Sequence, residues 1–263
     1  RSPRRFGHAR SPVPRGRSSA QRYRGRRTVG HRTGKLGGMR TRIITIASGK
    51  GGVGKTTTTA NLGASLAMMG QRVVAIDTDI GLRNLDVVMG LQNRIIYDIV
   101  DLVEGRCRIR QALIRDKVLD EFYLLPAAQS RDKMAVSASD MIHVCDELDG
   151  QCDFVLIDAP AGIEHGFRNA IAPAREFILV TTPDLTAIQD VDRVLGILET
   201  EERGRVGLVV NRVRDALVRR QEIMSPAEIV DHLSVELLGV VPEDEHIIIG
   251  DSRGIPVAHN IKA

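Results

Sequence analysis

The amino-acid sequence predicts an α/β fold in which a doubly wound, mostly parallel sheet is flanked by helices. Short apolar runs rich in β-branched residues recur from Arg42 onward, and amphipathic stretches with helical spacing separate them. A glycine-rich segment joins the first apolar run to the first helical stretch. Alternation of strands and helices produces parallel sheets through right-handed crossovers, and a glycine-rich turn between a strand and a helix is typical of a phosphate-binding loop.

The predicted strands are continuously apolar, which is the pattern of strands covered on both faces of a sheet. In chain order they are Arg42–Ala47, Arg72–Asp77, Phe122–Pro126, Phe154–Asp158, Phe177–Thr181, Arg205–Asn211 and Leu237–Val241. The helical pattern is clearest over Lys55–Met69, which Gly70 ends, and over Ile188–Thr200, whose apolar residues share one face. A chain of 263 residues, 43% of them hydrophobic, suffices for one sizeable core.

Charge is distributed unevenly along the chain. Residues 1–38 contain eleven Arg, one Lys and no acidic residue, so the remaining 25 basic residues face 33 acidic ones and give a net charge of −8. We predict a disordered basic extension over 1–38 and one folded domain over 39–263. The extension is interpreted as sequence upstream of a true start at Met39, as an organelle targeting segment, or as a nucleic-acid-binding arm. The acidic domain itself argues against nucleic-acid binding.

The glycine-rich segment matches the P-loop pattern G-x-x-x-x-G-K-[ST]. It predicts a P-loop NTPase site for ATP with Mg²⁺, in which Lys55 reaches the β- and γ-phosphates and the Thr56 hydroxyl binds the metal. The glycines allow the backbone to approach the phosphates closely. The predicted ATP-binding residues of this loop are Gly49, Lys50, Gly51, Gly52, Val53, Gly54, Lys55, Thr56 and Thr57.

Aspartates follow two of the predicted strands, where ligands bind in open α/β sheets. Asp158 ends one strand and is the predicted second Mg²⁺ ligand beside Thr56. Asp77 ends another strand, and Asp79 follows it by two residues, so both are expected at the same edge of the sheet. For Asp158 and Asp79 the alternative is an aspartate at the tip of a strand that merely caps the next helix.

Lys50 is a second lysine inside the loop, and the sequence GKGGVGKT therefore resembles the MinD/ParA family of deviant Walker A ATPases. The segments that resemble the MinD branch of this family, and on which the assignment rests, are Asp79–Asp86 (DIGLRNLD), Arg94–Asp98 (RIIYD), Leu124–Lys133 (LLPAAQSRDK), Asp158–Glu164 (DAPAGIE) and Val240–Asp244 (VVPED). The resemblance extends from Met39 to about residue 260 and so covers nearly all of the predicted domain.

The resemblance implies a homodimer that forms on ATP binding, in which Lys50 of one subunit reaches the phosphates held by the other. It assigns catalytic roles to Lys50, Lys55 and Asp79, with Asp79 orienting the attacking water. Asp77 matches an acid near the metal. The positions matching the adenine site are Asn211, Arg212, Pro242 and Glu243.

The resemblance also implies the biological role, a switch that positions the division septum and recruits a MinC-like inhibitor and a MinE-like activator. Family members bind the membrane surface through a C-terminal amphipathic helix, which the sequence up to Ala263 does not show. We therefore expect a C-terminally truncated domain without its own anchor. The implied location is the cytoplasm and the inner membrane periphery, or a plastid if residues 1–38 are a transit peptide.

Other classes share the loop and the fold. A ParA-type partition ATPase would need a basic folded surface, and an iron–sulfur carrier or nitrogenase-type reductase would need cysteines that bridge two subunits, which Cys107, Cys145 and Cys152 are not placed to do. A flagellar-number regulator is the nearest alternative, and only the DIGLRNLD and AAQSRDK segments favour the MinD branch over it. A non-hydrolysing binding module is disfavoured because Lys50, Thr56 and Asp79 are all present.

Overall fold

The computed structural model describes residues 40–132 and 134–260, so the predictions for residues 1–38 lie outside the described residues. An eight-stranded sheet runs through the described domain. Its strands are β1 (Arg42–Ala47), β2 (Val73–Asp77), β3 (Ile114–Arg115), β4 (Phe122–Leu125), β5 (Phe154–Asp158), β6 (Glu176–Thr181), β7 (Arg205–Val213) and β8 (Glu236–Pro242).

The strand order is β3-β4-β2-β5-β1-β6-β7-β8, and every pair is parallel except β3 with β4. Strand β1 lies in the interior of the sheet between β5 and β6. The carboxyl ends of the parallel strands therefore share one edge, and the loops that follow β1, β2 and β5 meet there. This edge positions the candidate site.

Helices cover both faces of the sheet. They are α1 (Lys55–Met68), α2 (Leu85–Val88), α3 (Ile99–Val103), α4 (Ile109–Ala112), α5 (Ala138–Leu148), α6 (His165–Ile171), α7 (Leu185–Thr200), α8 (Asp215–Arg219), α9 (Pro226–Leu233) and α10 (Glu245–Arg253). One apolar core includes Met141, Phe167 and Ile188 from α5, α6 and α7, and a second includes Ala60 and Ala64 of α1. The interior strands are thus buried on both sides, as their continuously apolar sequences require. The edge strand β8 departs from this expectation, because most of its residues are exposed, Leu238 at 51% and Val240 at 43%.

The predicted doubly wound fold is confirmed, and every predicted strand is present with small changes at its ends. The short antiparallel strand β3 was not predicted, because two residues are too few to show a periodicity. Helix α7 begins at Leu185, three residues before the predicted start, since the Asp184 side chain accepts a hydrogen bond from the Ala187 amide and caps the helix there. Within the described residues, none of the helices combines the length and apolarity needed to cross a bilayer.

Candidate nucleotide-binding site

The P-loop connects β1 to α1 and ends in the first turn of that helix. Gly54 is the N-cap of α1 with φ of 102°, and none of the described side chains caps this helix end. A Cβ atom on Gly49 would lie 2.2 Å from the backbone oxygen of Asp190, so the loop packs too closely on α7 for any other residue. Uncapped amide groups at a helix N-terminus bind phosphate, which fits the predicted role of the loop.

Lys55 and Thr56 open α1 and point toward the end of β5. Lys55 is buried, and burial lowers the pKa of its ammonium group while the charges of Asp158 and Asp79 oppose that shift. The Thr56 hydroxyl donates a hydrogen bond to Oδ2 of Asp158 at 2.7 Å. The two predicted Mg²⁺ ligands are therefore in direct contact beside the predicted phosphate-binding lysine.

Negative charge accumulates at this edge of the sheet. Asp77 and Asp158 are register partners on the neighbouring strands β2 and β5, and both are buried. Burial is the main cause that raises the pKa of each carboxyl group, and the charge of a neighbouring aspartate raises it further. A hydroxyl and buried carboxylate oxygens are the hard ligands that Mg²⁺ prefers, so the residues present fit this metal.

Thr59 is a further partner of Asp158 that the sequence did not identify. Its hydroxyl lies 3.4 Å from Oδ1 of Asp158 and donates more closely, at 3.0 Å, to the Lys55 carbonyl one turn earlier. The signal for Thr59 was its position three residues after Thr56 on α1, which places both hydroxyls on the helix face that packs on β5.

Asp77 organises the loop that follows β2. Its Oδ1 accepts a hydrogen bond from the Asp79 amide at 2.9 Å, and its Oδ2 accepts from the amides of Asn84 and Leu85 at 3.2 and 3.1 Å. The carboxylate thus holds both ends of the segment containing Asp79. The role of Asp77 near a metal stays a prediction, and its position beside Asp158 is consistent with it.

Lys50 lies on the surface of the loop and contacts its own chain. Its ammonium nitrogen donates a hydrogen bond to the Thr186 hydroxyl at 2.7 Å and lies 3.4 Å from Oδ1 of Asp184. Both acceptors stand at the start of α7. The structure therefore shows Lys50 in contact with its own chain. The resemblance predicts instead that Lys50 reaches the phosphates held by the other subunit of a dimer.

The residues predicted to hold adenine end the neighbouring strands β7 and β8. The Asn211 side chain donates to the Val53 carbonyl at 2.8 Å and so connects this region to the P-loop. Arg212 follows with φ of 55°, and the Glu243 amide donates to the Val213 carbonyl at 3.0 Å. Asn211, Arg212, Pro242 and Glu243 are thus brought to one edge, beside the loop.

Comparison with known proteins agrees with this site. Residues 44–257 match the family model described as the CobQ/CobB/MinD/ParA nucleotide binding domain. The septum site-determining protein MinD of Bacillus subtilis is 54% identical over 221 residues, which are 83% of this chain and 82% of that protein.

Two solved structures show the same fold at substantial identity. The MinC:MinD cell division protein complex of Aquifex aeolicus matches with a TM-score of 0.77 and 41% identity, covering 82% of this chain and 88% of that one. The Pyrococcus horikoshii MinD protein complexed with Mg-ADP has a TM-score of 0.75 and 34% identity, covering 84% and 89%. The chain belongs to the CobQ/CobB/MinD/ParA nucleotide-binding domain family and, within it, to the MinD branch.

Proposed function

We propose that the protein is an ATP-hydrolysing switch that dimerises on ATP and positions the cell-division septum. The observation that carries this proposal is the hydrogen bond between Thr56 and Asp158 beside the buried Lys55. The names of the MinD relatives support the septum role, and the Mg-ADP complex of the Pyrococcus relative supports ATP and Mg²⁺ as ligands.

The proposed chemistry uses the residues at the edge of the sheet. The loop amides and Lys55 bind the β- and γ-phosphates, and Thr56 with Asp158 holds Mg²⁺, which supplies positive charge next to the transferred phosphoryl group. Asp79, placed by the hydrogen bonds of Asp77, orients the attacking water. Phosphoryl transfer depends mainly on positioning and charge stabilisation, which this arrangement of cations and a water-orienting acid provides.

Exposed apolar side chains around the loop support the dimer. Leu82 follows β2, Ile163 follows β5 and Leu185 follows β6, and these side chains are 65%, 39% and 67% exposed. All belong to segments at the carboxyl edge that also carries Lys50. Large apolar side chains exposed together on one face are typical of protein interaction sites. In the proposed dimer, Lys50 leaves Asp184 and reaches the phosphates of the second subunit.

The proposed partners follow from the relatives. The Aquifex complex joins MinD to MinC, which supports a MinC-like inhibitor as a partner of this protein. A MinE-like activator and a membrane surface are further proposals drawn from the resemblance alone. Relatives include a chloroplastic MinD homologue of Arabidopsis thaliana, which supports a plastid location as one alternative beside the bacterial cytoplasm. The net negative charge of residues 39–263 argues against nucleic acid as a binding partner.

Light scattering after gel filtration tests the switch. The wild-type protein is expected to be dimeric with MgATP and monomeric with MgADP. Asp79→Ala is expected to form a dimer that persists with ATP, because its hydrolysis is lost. A monomer of Asp79→Ala at saturating ATP would contradict the model of an ATP-driven dimer.

Lys50→Ala tests the proposed contact of the Lys50 ammonium group with the phosphates bound by the second subunit. We expect ATP turnover to fall at least about 100-fold, the typical loss when one transition-state charge partner is removed. Lys117→Ala, an exposed lysine outside the P-loop, is the matched control and should keep the wild-type rate. Unchanged turnover in Lys50→Ala would overturn the role assigned to Lys50.

A further inference from the structure

A carboxylate that the sequence did not single out stands against the P-loop helix. The Thr57 hydroxyl donates a hydrogen bond to Oδ2 of Asp251 at 2.6 Å, joining the first turn of α1 to the last turn of α10. Burial raises the pKa of Asp251, while the hydrogen bond from Thr57 and the positive charge of Arg212 lower it. Asp251 is thus a partly buried acid that accepts a hydrogen bond from Thr57 and lies within electrostatic reach of Arg212.

These two neighbours mark the two ends of a nucleoside monophosphate. Thr57 belongs to the helix start whose backbone amides cradle the α- and β-phosphates in P-loop proteins. Arg212 lies near the end of β7 in the predicted adenine site, next to Asn211, whose side chain donates a hydrogen bond to the P-loop carbonyl of Val53. In a nucleotide, the ribose joins the α-phosphate to the base. The carboxylate of Asp251 therefore lies on the side along which the ribose must run.

Other contacts besides the Thr57–Asp251 hydrogen bond hold the end of α10 and the segment after it against the neighbouring helices. The Asn61 side chain accepts a hydrogen bond from the Ala258 amide at 2.9 Å. The backbones of Gly90 and Gly254 approach so closely that a Cβ on Gly254 would lie 2.5 Å from the Gly90 Cα. A carboxylate close to a phosphate is repelled by it unless a donor group lies between them.

We propose that Asp251 recognises the ribose of the bound nucleotide, accepting a hydrogen bond from its 2′- or 3′-hydroxyl and so selecting ribonucleotides over deoxyribonucleotides. An ionised carboxylate is an acceptor only, and the ribose diol offers donors at the required position. Hydrogen bonds to charged groups are stronger than neutral ones, so the contact contributes to affinity as well as to selectivity. The inference rests on the proposed function, since it assumes that the loop binds a nucleotide.

Isothermal titration calorimetry with MgADP, Mg-2′-deoxy-ADP and Mg-3′-deoxy-ADP tests this role without relying on turnover. We expect the wild-type protein to bind ADP about tenfold more tightly than at least one deoxy analogue, the lower range for a hydrogen bond to a charged group. Asp251→Ala should weaken ADP binding to the level of that analogue and leave the affinity for the analogue itself unchanged.

Two further variants separate ribose recognition from a structural effect. Asp251→Asn keeps the shape and one acceptor oxygen, so it should retain part of the preference for ADP. Ser252→Ala is the matched control on the same helix, because the Ser252 hydroxyl donates to the Ile248 carbonyl within α10. This variant should behave like the wild-type protein.

Several results would overturn the inference. One is equal affinity of the wild-type protein for ADP and both deoxy analogues, which needs no variant at all. Another is a loss of affinity in Asp251→Ala that is the same for all three ligands, because that result would show an effect of charge or packing alone. Failure of the wild-type protein to bind any of the nucleotides would instead contradict the proposed function.

Discussion

Lys50 and Asp184 form an ion pair within one chain, with the ammonium nitrogen 3.4 Å from Oδ1 of the carboxylate. Burial alone would raise the pKa of Asp184, but hydrogen bonds from Thr182, Thr186, the Ala187 amide and Lys50 lower it to about 2. Asp184 is therefore ionised at neutral pH. Both partners are about half exposed, so the pair is weak, and the second subunit of the proposed dimer can displace it.

Replacing Asp184 should make dimerisation easier. Asp184→Asn removes the charge that holds Lys50 but keeps an oxygen that can accept from the Ala187 amide and cap α7. Exposed ion pairs are worth up to about 1 kcal/mol, so we expect the dimer to form at an ATP concentration up to about fivefold lower. Light scattering over an ATP series measures this shift.

Asp192→Asn is the control for this substitution, since it removes an exposed charge from the same helix. Its dimerisation curve should match that of the wild-type protein. An equal or higher ATP requirement in Asp184→Asn would show that the contact of Lys50 with its own chain does not restrain the dimer.

The sequence was sufficient for the P-loop and the main strands because those features are local. The pattern from Gly49 to Thr56 carries its own chemistry, and continuous apolar runs reveal buried strands without knowledge of their neighbours. The docking of Lys50 on Asp184 could not be predicted. It joins residues 134 positions apart and depends on how closely the start of α7 packs on the loop.

The contact of Thr57 with Asp251 could not be predicted from the sequence either. Asp251 lies in an amphipathic segment with exposed apolar residues, and nothing in its neighbourhood indicates a ligand. Only the packing of α10 and of the 3₁₀ helix that follows it (Val257–Asn260) against α1 and α2 brings Asp251 to the P-loop. Strand β3 could not be predicted either, since its pairing with β4 rests on two residues.

Gly54 should be intolerant of substitution for two separate reasons. Its φ of 102° is a left-handed conformation that costs other residues about 1–3 kcal/mol, and an added Cβ would lie 2.2 Å from Nδ2 of Asn211. Moving Asn211 would break its hydrogen bond to the Val53 carbonyl. We expect Gly54→Ala to lower the free energy of unfolding by at least this amount and to abolish MgADP binding.

Gly196→Ala is the matched control for Gly54→Ala. Gly196 lies inside α7, and an added Cβ would have no neighbour within 4 Å among the described residues. Alanine is favoured over glycine in a helix interior by about 0.5–1 kcal/mol, so this variant should be more stable than the wild-type protein. Urea denaturation measures both variants, and equal stabilities would contradict the prediction.

Asp158→Asn should raise the free energy of unfolding of the nucleotide-free protein. It should also weaken the Mg²⁺ dependence of ATP binding. Because burial raises the pKa of Asp158 in the folded protein, the folded state binds more protons than the unfolded state between the ordinary aspartate pKa and the raised one. Stability therefore falls as pH rises through that window. Asparagine at position 158 removes this pH-dependent loss of stability, and its side-chain amide can still form hydrogen bonds with the hydroxyls of Thr56 and Thr59.

Denaturation between pH 4 and pH 8 should accordingly show a smaller decline for Asp158→Asn than for the wild-type protein. The same variant should lose most of the Mg²⁺ dependence of ATP binding, because the proposed carboxylate ligand of the metal is gone. A pH profile identical to that of the wild-type protein would mean that Asp158 does not carry the unfavourable buried charge.

Arg83, in the loop that carries Asp79, forms a largely buried ion pair with Asp86 in α2. Nε of Arg83 lies 3.0 Å from Oδ2 of Asp86, whose side chain is fully buried, while that of Arg83 is 17% exposed. Removal of one partner from a buried pair typically costs about 3–5 kcal/mol, because the other charge stays buried without compensation. We expect Arg83→Met to lose about this much stability at pH 7.

A double-mutant cycle isolates the pair. Asp86→Asn alone should cost less, since the Arg83 side chain can turn toward solvent, and the double variant Arg83→Met/Asp86→Asn should recover much of the stability lost in Arg83→Met. Burial outweighs the charge of Arg83 and already raises the pKa of Asp86. Without Arg83 the pKa of Asp86 rises further, so Asp86 is protonated more readily as the pH falls. The stability lost in Arg83→Met should therefore be smaller at lower pH. A loss that is additive with Asp86→Asn and constant with pH would show that Arg83 acts through packing rather than through its charge.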